Sequence, residues 1–205
     1  MINHLFLLSL FVILFACEDD LSGPVLPHEI EGQNQLCVYP EPVDSTVRHL
    51  HHFVPHLSDS ADTARAYKGA DLWRGTSSYR ERDTFTLVVV RADWVDAEYF
   101  DDTYDRVSFV IPDEIVGPGC FPLSNNNYNV QDSVFGGYSI KDFDVTVERY
   151  RLDHSAENTF EILSAGAEDE RFRARFKATF LADESMPPYL YPKVRFTQGY
   201  IDVAR

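Results

Sequence analysis

Residues 171–180 read Arg-Phe-Arg-Ala-Arg-Phe-Lys-Ala-Thr-Phe. Phe172, Ala174, Phe176, Ala178 and Phe180 share one parity; Arg171, Arg173, Arg175, Lys177 and Thr179 share the other. Successive side chains of a β-strand point to opposite faces, so this stretch builds a strand with one apolar face and one polar face. On a helix the same residues would be spread around the whole circumference. A slip of one residue would turn the three arginines and the lysine into the core, so the register is strongly specified. The rest of the chain must therefore supply a sheet for five apolar side chains to pack on.

The sequence from 67 onwards has that texture. Aromatic and β-branched runs recur, separated by Gly, Pro, Asn and Asp. Strands are predicted over 70–74, 78–92, 106–111, 119–123, 128–133, 137–140, 144–153, 159–165, 171–181 and 193–203. Short strands at such spacing predict an all-β fold, an antiparallel β-sandwich of roughly 8–10 strands over residues 67–205. The cationic row of 171–179 is expected to face solvent and to pair with Asp142, Asp144 and Glu148 across the sheet. The alternative use of such a row is to hold an anionic glycan. Residues 17–66 are different. Prolines at 24, 27, 40, 42 and 55 break helix and strand alike, which predicts an irregular, partly ordered tether. Within it, 36–39 is a candidate short edge strand and 59–67 a candidate helical turn or two. His52 and His56 share a helical spacing, but Pro55 lies between them and no further ligand pattern accompanies them, so a polar loop is expected there.

The first 16 residues are a separate unit. Leu5 to Ala16 is almost continuously apolar but far shorter than the ~20 residues a membrane-spanning helix needs. An apolar run of this kind ending in small residues reads as a secretory signal peptide. Leu14-Phe15-Ala16-Cys17 resembles the lipobox of bacterial lipoproteins, with a bulkier third-last residue than usual and an n-region lacking Lys and Arg. The resemblance implies cleavage before Cys17 and attachment of lipid to it. Stable anchoring takes more than one acyl chain, which a lipid-modified N-terminal Cys supplies. Glu18-Asp19-Asp20 resembles the export signal of surface lipoproteins in Bacteroidota, which implies the outer membrane and its outer face, with the periplasmic face as the alternative.

A stretch Lys68-Gly69-Ala70-Asp71-Leu72-Trp73-Arg74-Gly75, a strand at 107–111 leading into Gly119-Cys120-Phe121-Pro122-Leu123, and strands at 160–163, 171–180 and 194–201 follow one another in an order similar to that of the β-sandwich lipoproteins of Bacteroidota of the DUF6252 kind. The first of these stretches looks like the opening of their domain. Lys177-Ala178-Thr179-Phe180 lacks the family's Gly. This resemblance implies a fold and a location, and no activity.

With 18 Lys+Arg against 33 Asp+Glu, the net charge is −15, which repels nucleic-acid phosphates and excludes a nucleic-acid partner. Cys37 and Cys120 lie outside the signal; an oxidising compartment permits a bridge between them, and two separate thiols is the other reading. No nucleophile elbow or phosphate-binding glycine pattern is present, so no catalytic residue and no cofactor is assigned. Two weaker candidates remain. Asp101, Asp102 and Asp105 lie in a carboxylate-rich loop where calcium, a six- to eight-oxygen ion, is conceivable, although the spacing is not that of an EF-hand. Trp94, Tyr99 and Tyr104, with Asn126 and Asn127, are aromatic and amide groups of the kind that stack on sugar rings and bind hydroxyls. The expectation is a membrane-anchored extracytoplasmic module that binds a glycan or protein partner without catalysis. The alternatives are a structural subunit of an envelope complex and, further off, a glycan-active hydrolase.

Overall fold

The computed structural model describes residues 37, 47–48, 62–94, 102–115, 117–125, 132–165, 170–185 and 190–205. These form ten strands and, among the described residues, no helix. In chain order they are β1 (Thr63–Lys68), β2 (Asp71–Glu81), β3 (Phe85–Asp93), β4 (Thr103–Pro112), β5 (Gly119–Ser124), β6 (Val134–Asp142), β7 (Val145–Leu152), β8 (Thr159–Ser164), β9 (Arg171–Ala182) and β10 (Lys193–Ala204). The all-β architecture is as the alternation predicts.

The two layers of the sandwich belong to one continuous sheet. β10, β1, β2, β3, β4 and β6 pair in that order, all antiparallel. Beyond β6 the sheet forks. At one end β7 pairs with β6 at 138–142 and with β9 at 180–182. At the other end β5 runs parallel to β6 at Val134 and Phe135 and pairs with β8, which pairs with β9 at 173–177. β9 then pairs with β10 along nearly its whole length and closes the ring. Closure of this kind leaves few strand edges on which another chain could template.

The apolar parity of β9 faces inward as predicted: Phe172, Ala174, Phe176, Ala178 and Phe180 are all buried. They meet the opposite layer through Phe109 of β4, whose ring lies 5.0 Å from Phe176 and 4.6 Å from Phe160 of β8. Trp73 of β2 meets Phe196 of β10 edge-on at 5.1 Å. Each such side chain contributes about 1.5–3 kcal/mol on burial.

The other parity departs from expectation. Arg175, Lys177 and Thr179 are buried, and the carboxylates that pair with the row are Asp62, Asp202, Glu161 and Glu157. Charge pairing holds, but Asp142, Asp144 and Glu148 are not the partners. The register explains this: Asp202 lies opposite Arg173 and Glu161 opposite Arg175, whereas the β6–β7 hairpin reaches β9 only near its end.

Three further boundaries are corrected. The helical turn expected over 59–67 is, from Thr63 onwards, strand β1, held between β2 and β10. The sheet therefore begins four residues before 67. The run 78–92 is two strands joined by a turn, not one. Residues 132–133 of the expected strand 128–133 lie outside any strand, and β6 begins at Val134. Of the candidate edge strand 36–39, Cys37 alone is described; His52 and His56 lie outside the described residues. Cys37 and Cys120 are joined as a disulfide, with Cα atoms 5.6 Å apart. The Cys37 N–H also donates to Glu161 Oε1 at 3.2 Å, and the Ala70 N–H donates to the Val47 carbonyl at 2.8 Å. Part of the segment before β1 is thus fixed to the sheet.

Candidate functional site

Asp105, expected as a calcium ligand, sits fully buried in the interior. Parity in β4 dictates this, because Asp105 falls on the same face as Val107, Phe109 and Ile111. Its carboxylate accepts from Lys68 Nζ (2.8 Å) and Trp73 Nε1 (3.0 Å) at Oδ2, and from Trp94 Nε1 (3.1 Å) and the Tyr138 hydroxyl (2.9 Å) at Oδ1. The donors come from β1, β2, the residue after β3, and β6, which are the strands around β4 in the sheet. Burial pushes the Lys68 ammonium down from its ordinary range, against the pull of Asp105. Burial likewise pushes the Tyr138 phenol well up, with Asp105 adding to it. Tyr150, its ring 4.7 Å from that of Tyr138 and tilted to it by 44°, is raised by burial and by its hydrogen bond to Glu148. A carboxylate has about four acceptor sites, and here all are filled by protein. The cluster is therefore a polar joint within the core. It corrects two expectations: Asp105 is ion-paired to Lys68, and Trp94 points inward and is buried, away from any sugar.

Tyr104, one residue before, has the opposite parity and belongs to the outer face, where it is nonetheless buried, with the Arg91 guanidinium over its ring. It lines a groove of about 320 Å³ over β2, β3 and β4. Thr76, Ser78 and Arg80 come from β2, Leu87, Val89 and Arg91 from β3, and Arg106 from β4. The Arg91 guanidinium lies 4.0 Å from the centre of the Tyr104 ring and donates to Asp93 Oδ1 at 2.6 Å. Arg91 and Arg106 stand directly opposite each other across the strand pair. Arg106 is followed by Ser139 of β6 and then Arg149 of β7 in the same row. Lys141 stands beside Tyr104. Chemically this surface offers guanidinium forks, hydroxyls and an apolar floor. Arg80, Arg91 and Arg106 were not singled out by sequence reasoning. The signal was present for two of them: Arg91 lies between buried Val90 and Ala92, and Arg106 between buried Asp105 and Val107, whereas Arg80 lies between half-buried Tyr79 and exposed Glu81.

A second concavity of about 330 Å³ opens at one end of the sandwich, with Tyr79, Ile111, Ile162 and Phe172 among its lining. Arg205 crosses its rim, donating to Glu81 Oε1 at 2.6 Å and to the Tyr79 hydroxyl at 3.1 Å. The aromatic Tyr79 and Phe172 rings stand 5.4 Å apart there.

Among the remaining predicted residues, Asp102 is half-buried and its carbonyl accepts from the Phe143 N–H at 3.2 Å. Asp101, Tyr99, Asn126, Asn127 and Cys17 lie outside the described residues. The described residues contain no group of three or more His, Cys, Asp or Glu placed to hold a metal ion. No protein-family model, curated protein or solved structure matches the chain.

Proposed function

We propose that this chain is a lipid-anchored extracytoplasmic lipoprotein whose β-sandwich binds a ligand or partner without catalysing a reaction. The observation that carries the binding half is the groove over β2, β3 and β4. It is concave, lies on a rigid sheet and mixes apolar floor with convergent polar groups, the usual make-up of a ligand site. The resemblance of Leu14-Phe15-Ala16-Cys17 to a lipobox supports the anchoring half, and the order of features from 67 supports kinship with Bacteroidota surface lipoproteins. The disulfide adds weight to an oxidising compartment, since such bonds are rare in the cytosol.

Anchoring is tested in cells of the native envelope type, by detergent phase partition of the full chain and of Cys17→Ala. The wild type is expected in the detergent-rich phase and the variant in the aqueous phase. A variant that still partitions with membranes would overturn the lipid assignment.

A further inference from the structure

We infer that the groove over β2, β3 and β4 is a binding site for a polysaccharide that carries carboxylate or sulfate groups at intervals; this rests on the binding-module reading above. Three observations lead there. The first is charge. The chain as a whole carries −15, yet the outward positions of β2, β3, β4 and β6 hold Arg74, Arg80, Arg91, Arg106 and Lys141, and among the described residues of these strands Asp93 is the one carboxylate of that parity. A concave cationic surface on an acidic molecule concentrates field lines and draws anions to itself.

The second is pairing. Arg91 and Arg106 face each other directly across the strands, and like charges so placed destabilise a sheet. Asp93 answers Arg91 alone. An oxyanion seated between the two guanidiniums would relieve the repulsion and accept bidentate hydrogen bonds, which Arg presents in a planar fork and Lys does not. The chain's basic residues are overwhelmingly of that type, fourteen Arg against four Lys.

The third is spacing. Arg80 lies opposite Leu87, four residues along β3 from Arg91. At about 3.3 Å per residue the two cationic stations are roughly 13 Å apart. Val89 and Ser78 lie between them, with Leu87 at the Arg80 end and Thr76 at the Arg91 end. A single small anion would use one station. A chain of sugar rings would use both, laying C–H faces on the apolar floor and hydroxyls against Ser and Thr.

The test uses the full chain bearing Cys17→Ala, titrated calorimetrically with a polyuronate, with dextran sulfate, with neutral dextran and with polyglutamate. Binding to the polyuronate or to dextran sulfate is expected, the stronger of the two identifying the anionic group. The double variant Arg80→Gln/Arg106→Gln should weaken that binding at least tenfold. Arg151→Gln/Arg205→Gln, which removes an equal charge at residues that do not line the groove, should leave it within twofold. Equal weakening by Arg151→Gln/Arg205→Gln would reduce the effect to net charge and overturn the site. Equal affinity for polyglutamate would overturn the sugar assignment. Binding of neutral dextran alone, lost in Tyr104→Ala, would overturn the anionic ligand while sparing the binding-module reading. No binding to any of the four would overturn the inference, and retention of a co-purifying partner on the anchored wild type would then decide the module reading separately.

Discussion

Each oxygen of Asp105 accepts two hydrogen bonds, and one of the four donors, Lys68 Nζ, carries a full charge. Both members of the pair are fully buried. Two such charges cost several kcal/mol each to desolvate, and their attraction offsets this only when the remaining lone pairs and protons are also satisfied. Removing one partner is therefore worse than never having had the pair. Lys68→Met keeps the length and apolar stem of the side chain but leaves the carboxylate with neutral donors only. The variant is expected to lose about 3–5 kcal/mol of unfolding free energy in chemical denaturation. A loss below about 1 kcal/mol would mean that the two indoles and the phenol alone hold the carboxylate. The same residue shows what was legible. Read as part of an acidic loop, Asp105 looked like a metal ligand. Read as an extension of the alternation Val107, Phe109, Ile111, it belongs inside, and Trp94 belongs inside by the same extension from Val88, Val90 and Ala92. What parity could not supply was the partner: Lys68 and Asp105 lie on strands separated by two others in the sheet.

At the level of elements, long alternating runs were legible and short or continuous ones were not. β9 and β10 follow from their period alone. β1 did not, because Thr-Ala-Arg-Ala-Tyr-Lys has little intrinsic strand preference; it is a strand because β2 and β10 flank it on both sides. The turn within 78–92 was hidden by a run of charged residues, Arg80 to Asp83, that continues the polar texture across two strands. Close contact between elements also sets which glycines matter. A Cβ on Gly75 of β2 would meet the Arg91 carbonyl oxygen of β3 at 2.4 Å, and a backbone inside a closed sheet cannot easily retreat. A Cβ on Gly136 of β6 would meet only Leu123 and Leu152 methyl groups at 3.5 Å, an ordinary contact. Gly75→Ala is thus expected to cost about 1–3 kcal/mol as an overpacked site, and Gly136→Ala close to nothing. Thermal denaturation of the two variants side by side checks this. Equal melting temperatures would show that β2 and β3 can separate at Gly75 without loss.

For the molecule as a whole, the Cys37–Cys120 bond joins residues 83 apart in sequence and pins the segment before β1 to β5. Together with the proposed lipid on Cys17 it sets how far the sandwich can stand from a membrane. With the bond closed, the chain between Cys17 and Cys37 spans at most about 3.3–3.6 Å per residue, roughly 70 Å fully extended. If opening it also frees Cys37 from Glu161, that limit rises, since among the described residues the next ones bonded to the sheet are Val47 and Asp62. The same bond restrains the unfolded chain. A closed loop of this length removes enough conformational freedom to be worth about 4 kcal/mol, provided the native sheet accepts the link without distortion. The link lies where Cys120 of β5 stands opposite Glu161 of β8, and the Cys37 N–H and Arg175 both approach Glu161, so it is backed by polar contacts that do not require the bond. The reduced protein should therefore stay folded, since the closed sheet and its aromatic core do not depend on the bond. Urea unfolding of Cys37→Ser/Cys120→Ser should show a midpoint lowered in proportion to about 4 kcal/mol, with circular dichroism unchanged before the transition. An unfolded variant in the absence of urea would show that the staple, rather than closure of the sheet, holds this domain together. An unchanged midpoint would show that the contact of the Cys37 N–H with Glu161 holds this segment equally well in the reduced chain, and that the bond adds no stability of its own.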